Sequence, residues 1–90
     1  MTVARRFTVT GQVQGVGFRW AAQGEAERLG LVGRVRNRTD GAVELLAQGD
    51  ETAMQRFSDW LEQGPRWAQV ADVDVEPVEP FEATSFEITR

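Results

Sequence analysis

A glycine-rich stretch that ends in an arginine is the part of this sequence best suited to chemistry. Residues 11–19 read GQVQGVGFR, where an extended, alternating pattern stops and a helical pattern begins near Phe18. The N–H groups of a first helical turn and of a glycine loop before it favour a bound anion such as phosphate. In that turn a cation opposes the helix dipole by about 0.3–1 kcal/mol. Arg19 is therefore expected to bind an anion, and its planar fork suits phosphate oxygens.

The residue types that are missing narrow the possible reactions. The chain has no His, Cys, Lys or Tyr, which excludes an imidazole base, a cysteine nucleophile, a Schiff base and a P-loop lysine. Carboxylates, amides, hydroxyls and arginines remain. Zinc is disfavoured because its usual nitrogen and sulfur ligands are absent, whereas a magnesium site made of carboxylates stays open.

Length and charge define the class of protein. Ninety residues with 41% hydrophobic content predict a single domain, residues 1–90, with one core. We expect a soluble, cytoplasmic monomer, because no apolar run is long enough to span a bilayer or resembles a signal peptide.

The net charge of −4 is the sum of a basic N-terminal part and an acidic remainder. Residues 1–38 hold seven arginines against two glutamates, so a local basic cluster could attract a small anion, while the acidic remainder opposes nucleic acid and acidic membranes.

The hydrophobic pattern predicts the elements that position the glycine loop. Alternation over residues 3–13 indicates strand one, and apolar positions three and four apart over 18–29 indicate helix one, which Gly30 ends. Residues 31–37 and 42–49 form a hairpin with its turn at 39–41. Asp50 caps helix two, which ends at Gly64 and Pro65. Residues 70–78 and a short segment at 86–88 complete the strands.

The order of these elements predicts an α+β fold, a split β-α-β (βαββαβ) sandwich with an antiparallel sheet, two helices on one face and a short C-terminal strand. Strands one and two then run parallel through a crossover helix, and their carboxyl ends share one edge of the sheet. With strand three between them they lie about 10 Å apart. Arg19 is long enough to bridge that gap, so Gln14 and Asn37 are expected near the same site.

The residue types at this edge favour one kind of reaction. With no acid-base side chain of suitable pKa, the simplest nucleophile is a water molecule positioned by an amide such as Asn37. Expelling an alkoxide from a phosphate ester requires a general acid or a metal, whereas a carboxylate leaves without protonation. An acyl phosphate fits this site, with the substrate phosphate as acceptor for the proton of the water.

Several segments together closely resemble the acylphosphatase family. They are GQVQGVGFR at 11–19, LGLVG at 29–33, VRN at 35–37, DGAVE at 40–44, and Trp60 and Leu61 with Gly64 and Pro65. The resemblance covers nearly the whole chain. It implies a ferredoxin-like fold and metal-independent, cofactor-free hydrolysis of small acyl phosphates to a carboxylate and phosphate.

The resemblance also assigns roles to individual residues. It implies that the phosphate is bound by the loop and its arginine and that Asn37 orients the attacking water. The loop residues are Gln14, Gly15, Val16, Gly17 and Phe18, followed by Arg19. The chain departs from many members at Gly17, where some carry a bulkier residue, and at Arg34, where an aromatic residue is frequent. Compared with those members, Gly17 would make the loop looser, and Arg34 would change the packing of surface side chains.

Three alternatives remain open from the sequence. The same topology can bind RNA through aromatic side chains on the central strands, but residues 42–49 contain none. A non-catalytic ligand-binding or regulatory domain, like the acylphosphatase-like domains of larger carbamoyl-transferring maturation proteins, would bind phosphate without turnover. Asp72 and Asp74 are reminiscent of phosphatases that form an aspartyl phosphate, although a strand places both on one face, toward solvent. Trp20 and Trp67 are expected to be partly exposed without a functional role.

Overall fold

Seven elements build the protein, and the computed structural model describes all 90 residues. They are β1 (Thr2–Gln12), α1 (Phe18–Arg28), β2 (Val32–Asn37), β3 (Val43–Asp50), α2 (Glu51–Gln63), β4 (Gln69–Pro77) and β5 (Phe86–Ile88). These bounds agree closely with the predicted ones. The predicted helix signals are also confirmed: Gly30 has a φ of 75° after α1, and the Asp50 carboxylate accepts a hydrogen bond from the Thr52 N–H at the start of α2.

The sheet has the strand order β4-β1-β3-β2-β5. β3 lies between β1 and β2 and is antiparallel to both, as the sequence predicted. β4 pairs with β1 in antiparallel orientation, and β5 adds to β2 in parallel, which makes the sheet mixed. The predicted α+β, ferredoxin-like fold is confirmed. The sheet differs from the predicted antiparallel one in its last strand, β5, which pairs in parallel.

The core lies between the inner face of the sheet and the two helices. Phe57 of α2 is at its centre, with edge-on contacts to Phe7 of β1 and Phe86 of β5 at centroid distances of 5.8 and 6.0 Å. Such aromatic contacts add about 0.5–1.5 kcal/mol each to the gain from burial. α1 contributes Phe18, Ala22 and Ala26 to the same cluster, so the start of α1 is fixed by packing as well as by its own hydrogen bonds.

β4 has a bulge opposite the end of β1, just before the glycine loop. The register of β1 against β4 shifts between Thr10 and Gly11, and Gly11 has a φ of 125°. A Cβ atom at Gly11 would lie 2.2 Å from the carbonyl oxygen of Gln69. Only glycine allows this close approach. The extra residue is Ala71 of β4, since Thr10 pairs with Asp72 and Gly11 with Val70. β1 itself keeps its alternation, which places Val13 in the core.

The other face of the sheet is largely polar and is held in part by the C-terminal segment. The Gln48 side chain exchanges two hydrogen bonds with the backbone of Phe81, at 2.8 and 2.9 Å, and the Val78 N–H donates to the Ala4 carbonyl.

The central strands β1 and β3 expose no large aromatic side chain on which a base could stack, so nothing in the sheet favours the RNA-binding alternative. No helix combines the length and the apolar character needed to cross a membrane.

Two glycine-to-alanine substitutions should have opposite effects on stability. Gly33→Ala places a Cβ 1.8 Å from the Leu46 carbonyl oxygen at a φ of 147°, so strands β2 and β3 must separate locally. We expect it to lower the free energy of unfolding by more than about 2 kcal/mol.

Gly24→Ala is the matched control within α1, where a Cβ meets no atom within 4 Å. It should raise stability by about 0.5–1 kcal/mol. Urea denaturation followed by tryptophan fluorescence measures both changes. Equal stability of the two variants would contradict the close approach of β2 and β3 at Gly33.

Candidate active site

The loop between β1 and α1 presents backbone N–H groups that no part of the protein satisfies. Gly15 and Gly17 have φ values of 76° and 78°, in the left-handed region that glycine adopts at little cost. Gly17 is the N-cap residue of α1, and no side chain caps this helix end. The N–H groups of residues 14–17 donate to no backbone or side-chain acceptor, and the first turn of α1 adds further free donors. The positive end of the helix dipole reinforces this arrangement.

Packing of neighbouring side chains fixes the loop in place. Phe18, the first residue of α1, is 1% exposed, and its ring lies 6.0 Å from that of Trp60 on α2. Val16 packs against the core from the loop itself. Because Phe18 fixes the end of the loop and Val16 its middle, the loop N–H groups are held in place by packing, and such preorganisation lowers the entropic cost of binding.

The loop forms one side of a cleft of about 150 Å³. Its lining residues are Val13, Gly15, Gly17, Phe18, Arg19, Trp20, Asn37 and Ile88. Five of the seven residues predicted for the site therefore line one cleft, including both Arg19 and Asn37. None of the eight lining residues is acidic, so the charge of the lining is the positive charge of Arg19.

The ion pairs of the neighbouring arginines leave Arg19 as the cation of this cleft. Arg36 and Arg38, on either side of Asn37, form salt bridges with Glu44 and Asp40 at 2.9 and 3.0 Å. On α1, Arg28 donates hydrogen bonds to the Glu25 carboxylate, and these bonds and the negative charge of Glu25 raise the pKa of Arg28. Arg19 is half-buried and takes part in no ion pair.

Asn37 brings an unsatisfied acceptor to the same cleft. It is the last residue of β2 and pairs with Val43 of β3. Its Oδ1 atom is buried and has no hydrogen-bond partner, a state that costs free energy and is uncommon in native proteins. Asn37 therefore lines the cleft and carries an amide oxygen that no protein group satisfies.

Gln14 lies at the start of the loop, near the end of β2 as predicted, but it does not line the cleft. Its side chain points to the β2–β3 turn, where the Nε2 group donates to the carbonyl oxygens of Arg38 at 2.7 Å and Ala42 at 2.9 Å. Only its backbone N–H remains for an anion. The side chain ties the glycine loop to the end of β2, and in this way it links the positions of Arg19 and Asn37.

Sequence reasoning missed three lining residues: Val13, Trp20 and Ile88. The one available signal was for Trp20, which directly follows Arg19 and shares its helical turn. Ile88 reaches the cleft because β5 pairs in parallel with β2, opposite Val35. No local pattern at residues 86–88 specifies that partner strand, so its position follows from tertiary structure alone.

Other parts of the surface are less suited to be an active site than this cleft. A depression of about 340 Å³ is lined by Gly33, Arg34, residues 81–85 and Glu87, and the two glutamates in it, Glu82 and Glu87, make it a poor anion site. Asp72 and Asp74 are exposed on the edge strand β4, as predicted, and neither lines the cleft. The structure contains no group of three or more acidic side chains close enough to hold a metal ion.

Comparison with known proteins assigns the chain to a family. The model of the family described as acylphosphatase matches residues 5–88. The chain belongs to the acylphosphatase family. Its match to the acylphosphatase of Acaryochloris marina is 42% identical over 88 residues, covering 98% of this chain and 95% of the relative.

Solved structures of the family have the same fold. The acylphosphatase of Bacillus subtilis superposes with a TM-score of 0.93 and 41% identity over the full length of both chains. An acylphosphatase from Coxiella burnetii superposes with a TM-score of 0.95 and 35% identity, covering 98% of this chain and 93% of the other. These values confirm the family resemblance expected from the glycine loop and its neighbouring segments.

Replacing Gln14 should loosen the connection between the loop and β2. Gln14→Leu keeps the approximate size of the side chain but removes both donors, so we expect a loss of about 1–2 kcal/mol in the free energy of unfolding. Gln12→Leu, at an exposed position of β1, makes the same chemical change where Gln donates to no protein group and should alter stability by less than about 0.5 kcal/mol. Chemical denaturation of the two variants measures the difference, and equal values would contradict a stabilising tie at Gln14.

Proposed function

We propose that this protein hydrolyses small acyl phosphates, breaking the bond between the carboxyl oxygen and phosphorus by direct attack of water. In this proposal residues 14–18 and Arg19 bind the phosphoryl group, and Asn37 orients the water. The observation that carries it is the meeting of unsatisfied groups at one cleft: backbone donors, an unpaired guanidinium and a buried amide oxygen without a partner.

Phosphate recognition rests on two complementary sets of donors. The loop N–H groups are fixed dipoles directed at one point, and Arg19 adds a full charge in a planar fork that can hold two phosphate oxygens. As charge shifts during bond cleavage, donors that are already oriented stabilise the transition state without reorganising. The acid-free lining supports this assignment, because a carboxylate beside the phosphate would repel it.

In this proposal Asn37 activates the water by positioning it, and no protein base removes its proton. Asn37 Oδ1 can accept a hydrogen bond from the attacking water, which directs a lone pair of that water at phosphorus. The water oxygen forms the new P–O bond while the bond to the carboxyl oxygen breaks, and its electron pair leaves on the carboxylate. The proton of the water passes to an oxygen of the substrate phosphate, so the step needs no protein base.

The leaving group determines which substrates such a site can use. A carboxylate departs as a stable anion, whereas the alkoxide of an alkyl ester needs a proton or a metal ion. The cleft lining contains no titratable side chain except Arg19. We therefore propose a metal-independent activity on mixed anhydrides and none on phosphate esters.

The direct experiment compares three conditions. Benzoyl phosphate should be hydrolysed to benzoate and phosphate at rates far above the uncatalysed reaction, with and without a chelator, while an alkyl phosphate ester should not react. Release of phosphate is measured against enzyme concentration. Tight phosphate binding without turnover of the anhydride would favour the non-catalytic domain instead.

Removing the guanidinium should abolish both binding and turnover. Arg19→Gln retains hydrogen-bonding capacity but loses the charge, and we expect kcat/KM to fall at least about 1000-fold, with competitive inhibition by phosphate lost as well. Arg56→Gln makes the same change at an exposed position of α2 and should leave both unchanged. Near-normal activity of Arg19→Gln would refute the assigned role.

Removing the carboxamide should separate binding from catalysis. Asn37→Ala eliminates the acceptor for the water, and we expect kcat to fall roughly 100-fold while the inhibition constant of phosphate stays within about threefold. Thr39→Ala, an exposed change two residues along the turn, serves as the control. If Asn37→Ala weakened phosphate binding as much as it slowed turnover, Asn37 would be a phosphate ligand and not the water-orienting residue.

A further inference from the structure

Two exposed apolar side chains lie at the cleft. Five large hydrophobic residues are exposed in the whole chain: Met1, Trp20, Trp67, Val75 and Ile88. Trp20 and Ile88, 72% and 38% exposed, line the cleft together with Arg19 and Asn37. Single exposed hydrophobic residues are common on protein surfaces. Here two exposed hydrophobic side chains on separate elements meet at one cleft, which indicates a surface available to a ligand.

The fold positions these two side chains from opposite ends of the sequence. Trp20 follows Arg19 in the first turn of α1, while Ile88 lies on β5 opposite Val35 of β2. α1 packs against both β2 and β5, which brings the indole and the branched side chain to the same cleft. Trp20 is not needed to fill the core, because Phe18, Ala22 and Ala26 provide the buried face of α1.

The position of the cleft indicates what lies beside these residues. The cleft has a volume of about 150 Å³, and Trp20 and Ile88 line it together with Gly17 and Arg19. An acyl group joined to a phosphoryl group on the glycine loop and Arg19 therefore lies beside Trp20 and Ile88.

We propose that Trp20 and Ile88 form a subsite for the acyl group and that this subsite favours planar, apolar acyl groups over acetyl. The inference rests on the proposed function, since it assumes that the phosphoryl end is held by the loop and Arg19. A benzoyl ring can lie against the indole of Trp20, while Ile88 covers part of its edge. An acetyl group has much less apolar surface to place against these two side chains.

The test compares selectivity among variants, so that the intrinsic reactivity of each anhydride cancels. The kcat/KM for benzoyl phosphate is divided by that for acetyl phosphate in the unmodified protein and in each variant. Trp20→Ala should lower this ratio about fivefold, mainly through a higher KM for benzoyl phosphate. Trp20→Phe should keep most of the selectivity. Because Trp20 is largely exposed, these substitutions leave the core intact.

Trp67→Ala is the matched control. Trp67 is also exposed, and its Nε1 atom lies 3.7 Å from where a Cβ of Gly17 would be, but it does not line the cleft. Its substitution should leave the ratio unchanged. A ratio that stays within about twofold in Trp20→Ala, or that falls equally in Trp67→Ala, would overturn the subsite.

A binding measurement separates this inference from the proposed function. Benzoylphosphonate and acetylphosphonate resist hydrolysis, and calorimetry gives their dissociation constants. A preference for benzoylphosphonate that is lost in Trp20→Ala would support the subsite even if no acyl phosphate were hydrolysed. Hydrolysis of both acyl phosphates, with equal phosphonate affinities before and after the substitution, would refute the subsite and leave the proposed function standing.

Discussion

The site depends on one constraint: a helix that begins without a cap of its own. α1 starts at a glycine in the left-handed conformation, and no side chain satisfies the N–H groups around it. Most helices avoid this cost of unpaired donors by placing Ser, Thr, Asp or Asn at the N-cap. α2 in the same protein does so with Asp50. The contrast between the two helices shows that the open end of α1 is a local property of the glycine loop.

An open helix end alone favours an anion only weakly, and the surrounding structure adds further groups beside it. The buried Phe18 ring fixes the direction of α1, and the Gln14 side chain joins the loop to the carbonyl oxygens of the β2–β3 turn. Asn37 precedes that turn directly. The distance between the anion donors and the amide oxygen is therefore set by hydrogen bonds and packing on both sides, not by the flexibility of the loop.

Charge pairing contributes to the same result. The basic half of the chain could have offered a diffuse positive surface, but Arg36 and Arg38 are neutralised by Glu44 and Asp40 from the adjoining hairpin. Such pairs add little stability when exposed. They leave Arg19, which has no ion-pair partner, as the unpaired cation that lines the cleft.

The sequence by itself determined the elements, their order and the core, because periodicity and capping are local signals: alternation specified β1, and Asp50 and Gly30 marked helix ends. It also predicted that Arg19 and Asn37 lie near one sheet edge, and both line the same cleft. Only the tertiary structure decided that the Gln14 side chain faces the hairpin, that β5 joins β2 in parallel, and that Trp20 and Ile88 meet at the cleft. The physical reason is that side-chain direction and edge pairing depend on partners distant in sequence, whose positions no local pattern encodes.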